Sequence, residues 1–176
     1  LTVVDYYETS VSKNYSKEDI YKNPSQYISC FSKYLTNADM LITGHFYDSK
    51  APFLFKKNDI INNKKLKVVA DISCDIDGPI ACTIRPSKIT SPIYGYNPMT
   101  FKEDNFLKDG VIAVMAVDNL PCELPKDASL DFGHELINII PLLFQDDSQI
   151  IMNATICDQG DLTCQFKYLR DFLNSG

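Results

Sequence analysis

The residues best suited to chemistry fall in three short clusters. Asp118-Asn119-Leu120-Pro121 closes an apolar run with an acid and an amide, followed by a proline-bounded turn. A carboxylate accepts hydrogen bonds and an amide both donates and accepts, so this pair suits a ribose or a carboxamide; the competing reading is a turn that caps the next helix. Asp71-Ile72-Ser73-Cys74-Asp75-Ile76-Asp77-Gly78 gathers acids before a glycine. That order invites a calcium loop, but with Ser73 as first ligand Ile84 stands where a bidentate glutamate is required, so calcium is rejected. Asp71, Asp75 and Asp77 are expected instead to cap or brace a strand end, or to accept from a ligand's hydroxyls. His45 and His134 are the two histidines. His45 follows an apolar run and is either a ligand contact or a structural residue, whereas His134 lies in a helical pattern, at the surface or packed. No nucleophile elbow accompanies them.

The elements that must position these residues are legible as apolar runs. Residues 38–43, 66–72 and 111–117 are nearly continuous aliphatic stretches, the pattern of parallel strands covered on both faces. They are expected to be neighbours in one parallel sheet. Each run ends in small or polar residues, Gly44-His45, Ser73-Cys74-Asp75 and Asp118-Asn119, and ligands of open parallel sheets bind beyond such ends. Residues 16–34 read as short helices across Pro24, and residues 75–110, with four prolines, as a long irregular stretch. Residues 127–144 form an amphipathic helix with Ala128, Phe132, Leu136, Ile139, Ile140 and Leu143 on one face and Pro141 as its kink or end. A hairpin over 150–163, turning at Asp158-Gln159-Gly160-Asp161, and a short helix over 164–173 complete the chain.

Composition narrows the class. With 176 residues and 45% hydrophobic content the chain can bury a core, and 17 Lys+Arg against 23 Asp+Glu leave a net charge of -6, no footprint for nucleic acid or an anionic membrane. No apolar run approaches the roughly 18 to 20 residues of a membrane span, and the first residues lack a signal-peptide core, so the reading is cytoplasmic. The six cysteines form no C-x-x-C pair and read as reduced thiols; the sequons at Asn14 and Asn153 carry little weight without a secretory signal. No G-x-G-x-x-G occurs. Either this is not a dinucleotide domain, or its first part lies upstream of Leu1.

Ordered motifs decide between these. Ala38-Asp39-Met40-Leu41-Ile42 with Ala51-Pro52, Val68-Val69-Ala70-Asp71-Ile72-Ser73-Cys74-Asp75, Ala116-Val117-Asp118-Asn119-Leu120-Pro121, and Leu124-Pro125-Lys126-Asp127-Ala128-Ser129 with Phe132-Gly133 together resemble lysine-forming saccharopine dehydrogenase and lysine-ketoglutarate reductase domains. Alanine dehydrogenase is similar at greater distance. The resemblance covers residues 38–144 and implies an α/β fold with a Rossmann-like parallel sheet. Residues 1–120 would then be the C-terminal part of a cofactor domain, and 121–176 a long helix and a segment returning to a second α/β domain, with 150–176 packed away from the sheet. The implied cofactor is NAD, with NADP not excluded because the residue reading the 2′-position would lie upstream. The expected cofactor contacts are Thr43, Gly44, His45, Asp71, Val117, Asp118, Asn119 and Leu120. The family's catalytic lysine and histidine come from its N-terminal domain, and no residue here matches them, so no catalytic residue and no metal ligand is assigned. The implied reaction is oxidation of saccharopine to lysine and 2-oxoglutarate. Alanine-dehydrogenase-like deamination and a non-catalytic regulatory or interaction domain are the alternatives. The expected partners are a small amino-acid substrate, the missing N-terminal portion of the same enzyme and further copies of the chain.

Overall fold

Tyrosines and β-branched residues open the described part of the chain. In a computed structural model, which describes residues 7–9, 17–45, 47, 51–145 and 148–173, Tyr7–Thr9 (β1) pairs antiparallel with Tyr27–Ser29 (β2). Lys17–Lys22 (α1) and a 3₁₀ turn over Pro24–Gln26 lie between them. The stretch expected as helices alone therefore contains a strand. Proline fits the first position of a helical turn, and Tyr27 and Ile28 then alternate buried and exposed, the period of a strand. Tyr7, Ile20 and Tyr27 bury one another in a small cluster. The sequon at Asn14 lies outside the described residues.

After Ser32–Leu35 (α2), Met40–Thr43 (β3) starts the main sheet; Lys57–Ile60 (α3), Val68–Asp71 (β4), Ile93–Asn97 (β5), Lys102–Asp104 (β6) and Ile112–Met115 (β7) follow. The sheet order is β3-β4-β7-β5-β6. As the apolar runs predict, β3, β4 and β7 are parallel neighbours, in the registers Met40↔Val68 and Val68↔Ala113. Leu41, Val69 and Val114 align on the face that packs into the core with Phe55, Ile60 and Ile80. Met40 and Ile42 lie on the other face and are 56% and 63% exposed.

Residues 75–110 are not the irregular stretch the sequence suggests. They carry the β5–β6 hairpin, which joins β7 antiparallel in the register Tyr96↔Ile112 and makes the sheet mixed. Tyr94 and Tyr96 both reach the core, and Gly95 between them is required by close approach: a Cβ there would stand 2.3 Å from the Asp104 carbonyl oxygen. Flanking prolines and this glycine hide the alternation.

The chain divides into two units, Leu1–Glu123 and Leu124–Gly176. In the second, Pro125–Ile139 (α4) stops where Pro141 forces the last turn into a 3₁₀ helix over Ile140–Phe144. Its stripe of Phe132, Leu136 and Leu143 is exposed. The hairpin expected over 150–163 is shorter: Gln149–Ala154 is a helix (α5), and only Cys157–Asp158 (β8) and Asp161–Leu162 (β9) pair. The Ile150-Ile151 pair suggests a strand, but the Met152 N–H returns to the Ser148 carbonyl and the Thr155 N–H to the Ile151 carbonyl, closing helical turns. The turn falls where expected, with Gln159 and Gly160 both at positive φ. Cys164–Leu169 and Arg170–Leu173 (α6) follow as 3₁₀ and α turns. Among the described residues no helix is long and apolar enough to cross a membrane.

The Tyr96 hydroxyl is buried with no hydrogen-bond partner among the described residues, and burial pushes its pKa up to about 12. An unpaired buried hydroxyl costs stability that a same-shaped apolar ring does not. Tyr96→Phe is therefore expected to leave the urea midpoint unchanged or raise it; a loss above about 1 kcal/mol would mean that the hydroxyl has a partner.

Candidate functional site at the strand ends

Because β3, β4 and β7 are adjacent and parallel, their carboxyl ends open on one side of the sheet. Asp71, the last residue of β4, has no exposed surface. Its carboxylate accepts from Thr43 Oγ1 on β3 at 2.8 Å, from Thr83 Oγ1 at 2.7 Å and from the Cys74 backbone N–H at 3.3 Å. A buried carboxylate is tolerable only when its lone pairs are engaged in this way. Thr83 carries no sequence signal, since its role depends on the loop folding back under β4.

The exits are tied to one another as well. The His45 N–H donates to Ser73 Oγ at 2.9 Å, joining the β3 and β4 exits, and the Cys74 thiol donates to the Ala116 carbonyl at 3.1 Å, joining β4 to β7. Ser87 clamps Ala116 from the far side, its N–H donating to the Ala116 carbonyl at 2.8 Å and its Oγ accepting from the Ala116 N–H at 2.9 Å. Cys74 sits at φ 52, a conformation uncommon for a residue with a side chain.

Electrostatically the exits are acidic. Burial first, then the carboxylates of Asp71, Asp118 and Asp75, raise the pKa of the Cys74 thiol and keep it from acting as a thiolate nucleophile. Burial and Asp71 also raise the pKa of Asp75, opposed by His45. Cys82, in the core, is pushed up to about 12 by burial.

The sequence-predicted residues thus occupy different depths. Thr43 and Asp71 are buried and bonded to each other, and Val117 is buried beside Ser87. Gly44, Asp118 and Asn119 are exposed, with His45 and Leu120 partly so. Gly44 has room for a side chain, a Cβ there meeting nothing nearer than Ile72 at 4.0 Å, so packing does not require its glycine. The Asn119 carbonyl accepts from the Cys122 N–H and opens a 3₁₀ turn over Leu120–Glu123, so the capping and ligand readings of this turn both keep their groups in place. Asp75 and Asp77 shape the loop that follows: the Gly78 N–H returns to the Asp75 carbonyl, and the Asp77 N–H reaches the Thr83 carbonyl. His134 is exposed on α4, in the second unit.

The model of the alanine dehydrogenase/PNT C-terminal domain matches residues 4–169. The chain belongs to this family. An alpha-aminoadipic semialdehyde synthase of Arabidopsis thaliana is 31% identical over 169 residues, 90% of this chain but 16% of its own length. A mitochondrial alpha-aminoadipic semialdehyde synthase of Rattus norvegicus is 26% identical over 92% of the chain and 20% of its own length. A saccharopine dehydrogenase (NAD+, L-lysine-forming) of Neurospora crassa is 27% identical over 106 residues, 60% of the chain and 27% of its own length. The chain therefore spans less than a third of each of these relatives.

Replacing Thr83 by the isosteric valine removes one donor from the buried Asp71 carboxylate. Thr83→Val is expected to cost about 1–3 kcal/mol in chemical denaturation, and Thr43→Val a similar amount. The double variant should lose less than the sum of the two, because both act on one carboxylate; strict additivity would contradict a shared network.

Proposed function

We propose that this chain supplies the nicotinamide-side part of the cofactor site of an NAD-dependent oxidoreductase of the saccharopine dehydrogenase type, converting saccharopine, NAD and water to lysine, 2-oxoglutarate and NADH. The observation that carries the reading is the set of three tied parallel strand exits, with the exposed Asp118 and Asn119 beside a buried Asp71 network. That is the topological position at which α/β sheets bind nucleotides. The names of the relatives supply the substrate class.

The donor set fits one half of the dinucleotide. Exposed Asp118 is an acceptor suited to ribose hydroxyls, Asn119 offers both donor and acceptor, and Gly44 leaves its backbone open to close approach. An acidic surround suits a cationic nicotinamide ring better than a diphosphate, and no glycine-rich turn is present to cradle phosphates. When bound, NAD supplies the hydride acceptor. The chain's own contribution is orientation: the Thr43 and Asp71 side chains hold the exits from within, while residues 44–45 and 118–120 contact the ligand. NADP fits the same surface, since neither group reads the 2′-position. The proton-transferring residues, the amino-acid substrate's main contacts and the glycine turn belong to the rest of the enzyme, which residues 121–176 would rejoin, and the enzyme is assembled from several copies. The cytoplasm is the compartment of this reading, although the rat relative is named mitochondrial. The alanine dehydrogenase part of the family's name favours oxidative deamination of alanine as the second reading.

In the complete enzyme, Asp118→Ala should raise the NAD dissociation constant about fivefold, the low end for a charged hydrogen bond because Asp118 faces solvent. An unchanged constant removes Asp118 from the site. The 176-residue chain alone should produce no NADH absorbance with NAD and either saccharopine or alanine. Turnover with either would require an acid–base pair among residues given structural roles here.

A further inference from the structure

His45 is held on one side and unsatisfied on the other. Its backbone N–H donates to Ser73 Oγ at 2.9 Å, and the same oxygen lies 3.5 Å from Nδ1, the long end of such a contact. Ser73 Oγ, which already accepts from the backbone, keeps a proton that it can give to Nδ1. The neutral ring then carries its proton on Nε2. Nε2 is buried and has no hydrogen-bond partner among the described residues. Only one other side-chain nitrogen or oxygen among those residues shares this state, the Tyr96 hydroxyl, and it belongs to the core. A buried donor left unpaired is costly, so one that persists at a strand exit calls for an acceptor from outside the chain.

The neighbours limit what that acceptor is. Asp75 is close enough for its carboxyl to respond to His45, and Asp71 and Asp75 both act on Cys74 at the adjoining exit. The carboxylates at these adjoining exits repel a phosphate but tolerate the neutral oxygen of an amide. The strand-end position is the one assigned above to the nicotinamide half.

We propose that His45 Nε2–H donates to the carboxamide oxygen of the nicotinamide ring, with Ser73 fixing the tautomer and direction of the imidazole. This rests on the cofactor reading of the site and adds to it the group that orients the ring. His45 is then a cofactor contact and Ser73 a positioning residue.

The test compares NADH with ADP-ribose, which lacks the nicotinamide, on the complete enzyme and its His45→Phe and His45→Gln variants by calorimetry. The unmodified protein should bind both; His45→Phe should weaken NADH about tenfold and leave ADP-ribose within about twofold, whereas His45→Gln, which keeps an amide N–H donor, should stay within about threefold for both. Long-range ¹H–¹⁵N spectra of the unmodified protein give a readout free of folding effects. With ¹⁵N-histidine label confined to this segment of the complete enzyme, whose two histidines are His45 and His134, the His45 ring signals should show the Nε2–H tautomer and shift with NADH, while exposed His134 serves as the unshifted control.

NADH binding with unmoved His45 signals, or with equal affinity in His45→Phe, overturns the His45 assignment and leaves the cofactor reading intact. Equal weakening of NADH and ADP-ribose moves the contact to the diphosphate and overturns the carboxamide assignment. No NADH binding to the unmodified protein overturns both.

Discussion

A carboxylate without exposed surface stands where the strand ends meet, and the geometry around it follows from the need to satisfy it. Asp71 draws Thr43 from β3, Thr83 from the returning loop and the Cys74 N–H from its own exit. The cost of removing a charge from water is offset only while all of these donors hold their places. That requirement fixes where Gly44 and His45 leave β3 and bends the chain at Cys74 into positive φ, from which the thiol reaches Ala116 on the third exit. The geometry of the exposed strand ends is thus set by a group with no exposed surface of its own.

The same arrangement explains the division of labour at the strand ends. The threonines bonded to Asp71, Thr43 and Thr83, are buried and structural, while Gly44, Asp118 and Asn119 at the exits are exposed. Burial and the neighbouring acids at this end of the sheet together raise the Cys74 and Asp75 pKa values. Such a surround favours hydroxyl and amide partners and gives no help in binding phosphates. A nucleotide held here would be held by its ribose and base side, with the phosphates secured by groups elsewhere.

Much of this was legible in the sequence. The three parallel strands stand out because each is apolar throughout, and Asp71 and Asp118 stand out because each ends such a run. Pro141 marks the end of α4, and Gln159-Gly160 marks a turn. What stayed hidden depends on contacts distant in sequence. The β5–β6 hairpin is masked by prolines and by Gly95, whose reason is the approach of the Asp104 carbonyl. Thr83 and Ser87 lie in a stretch with no period and gain their roles only when the loop returns beneath β4 and β7. Residues 149–154 show the opposite failure, local β-branched character overridden by helical hydrogen bonding.

The central claim is that the three tied strand exits form a nucleotide-binding surface. Amide hydrogen exchange of the protein with and without saturating NADH tests it directly, because exchange reports each segment separately. Slower exchange is predicted at residues 43–45, 73–75 and 117–120, with the β5–β6 hairpin unchanged. Protection confined to residues 93–104, or none at the three exits when NADH is bound, would contradict it.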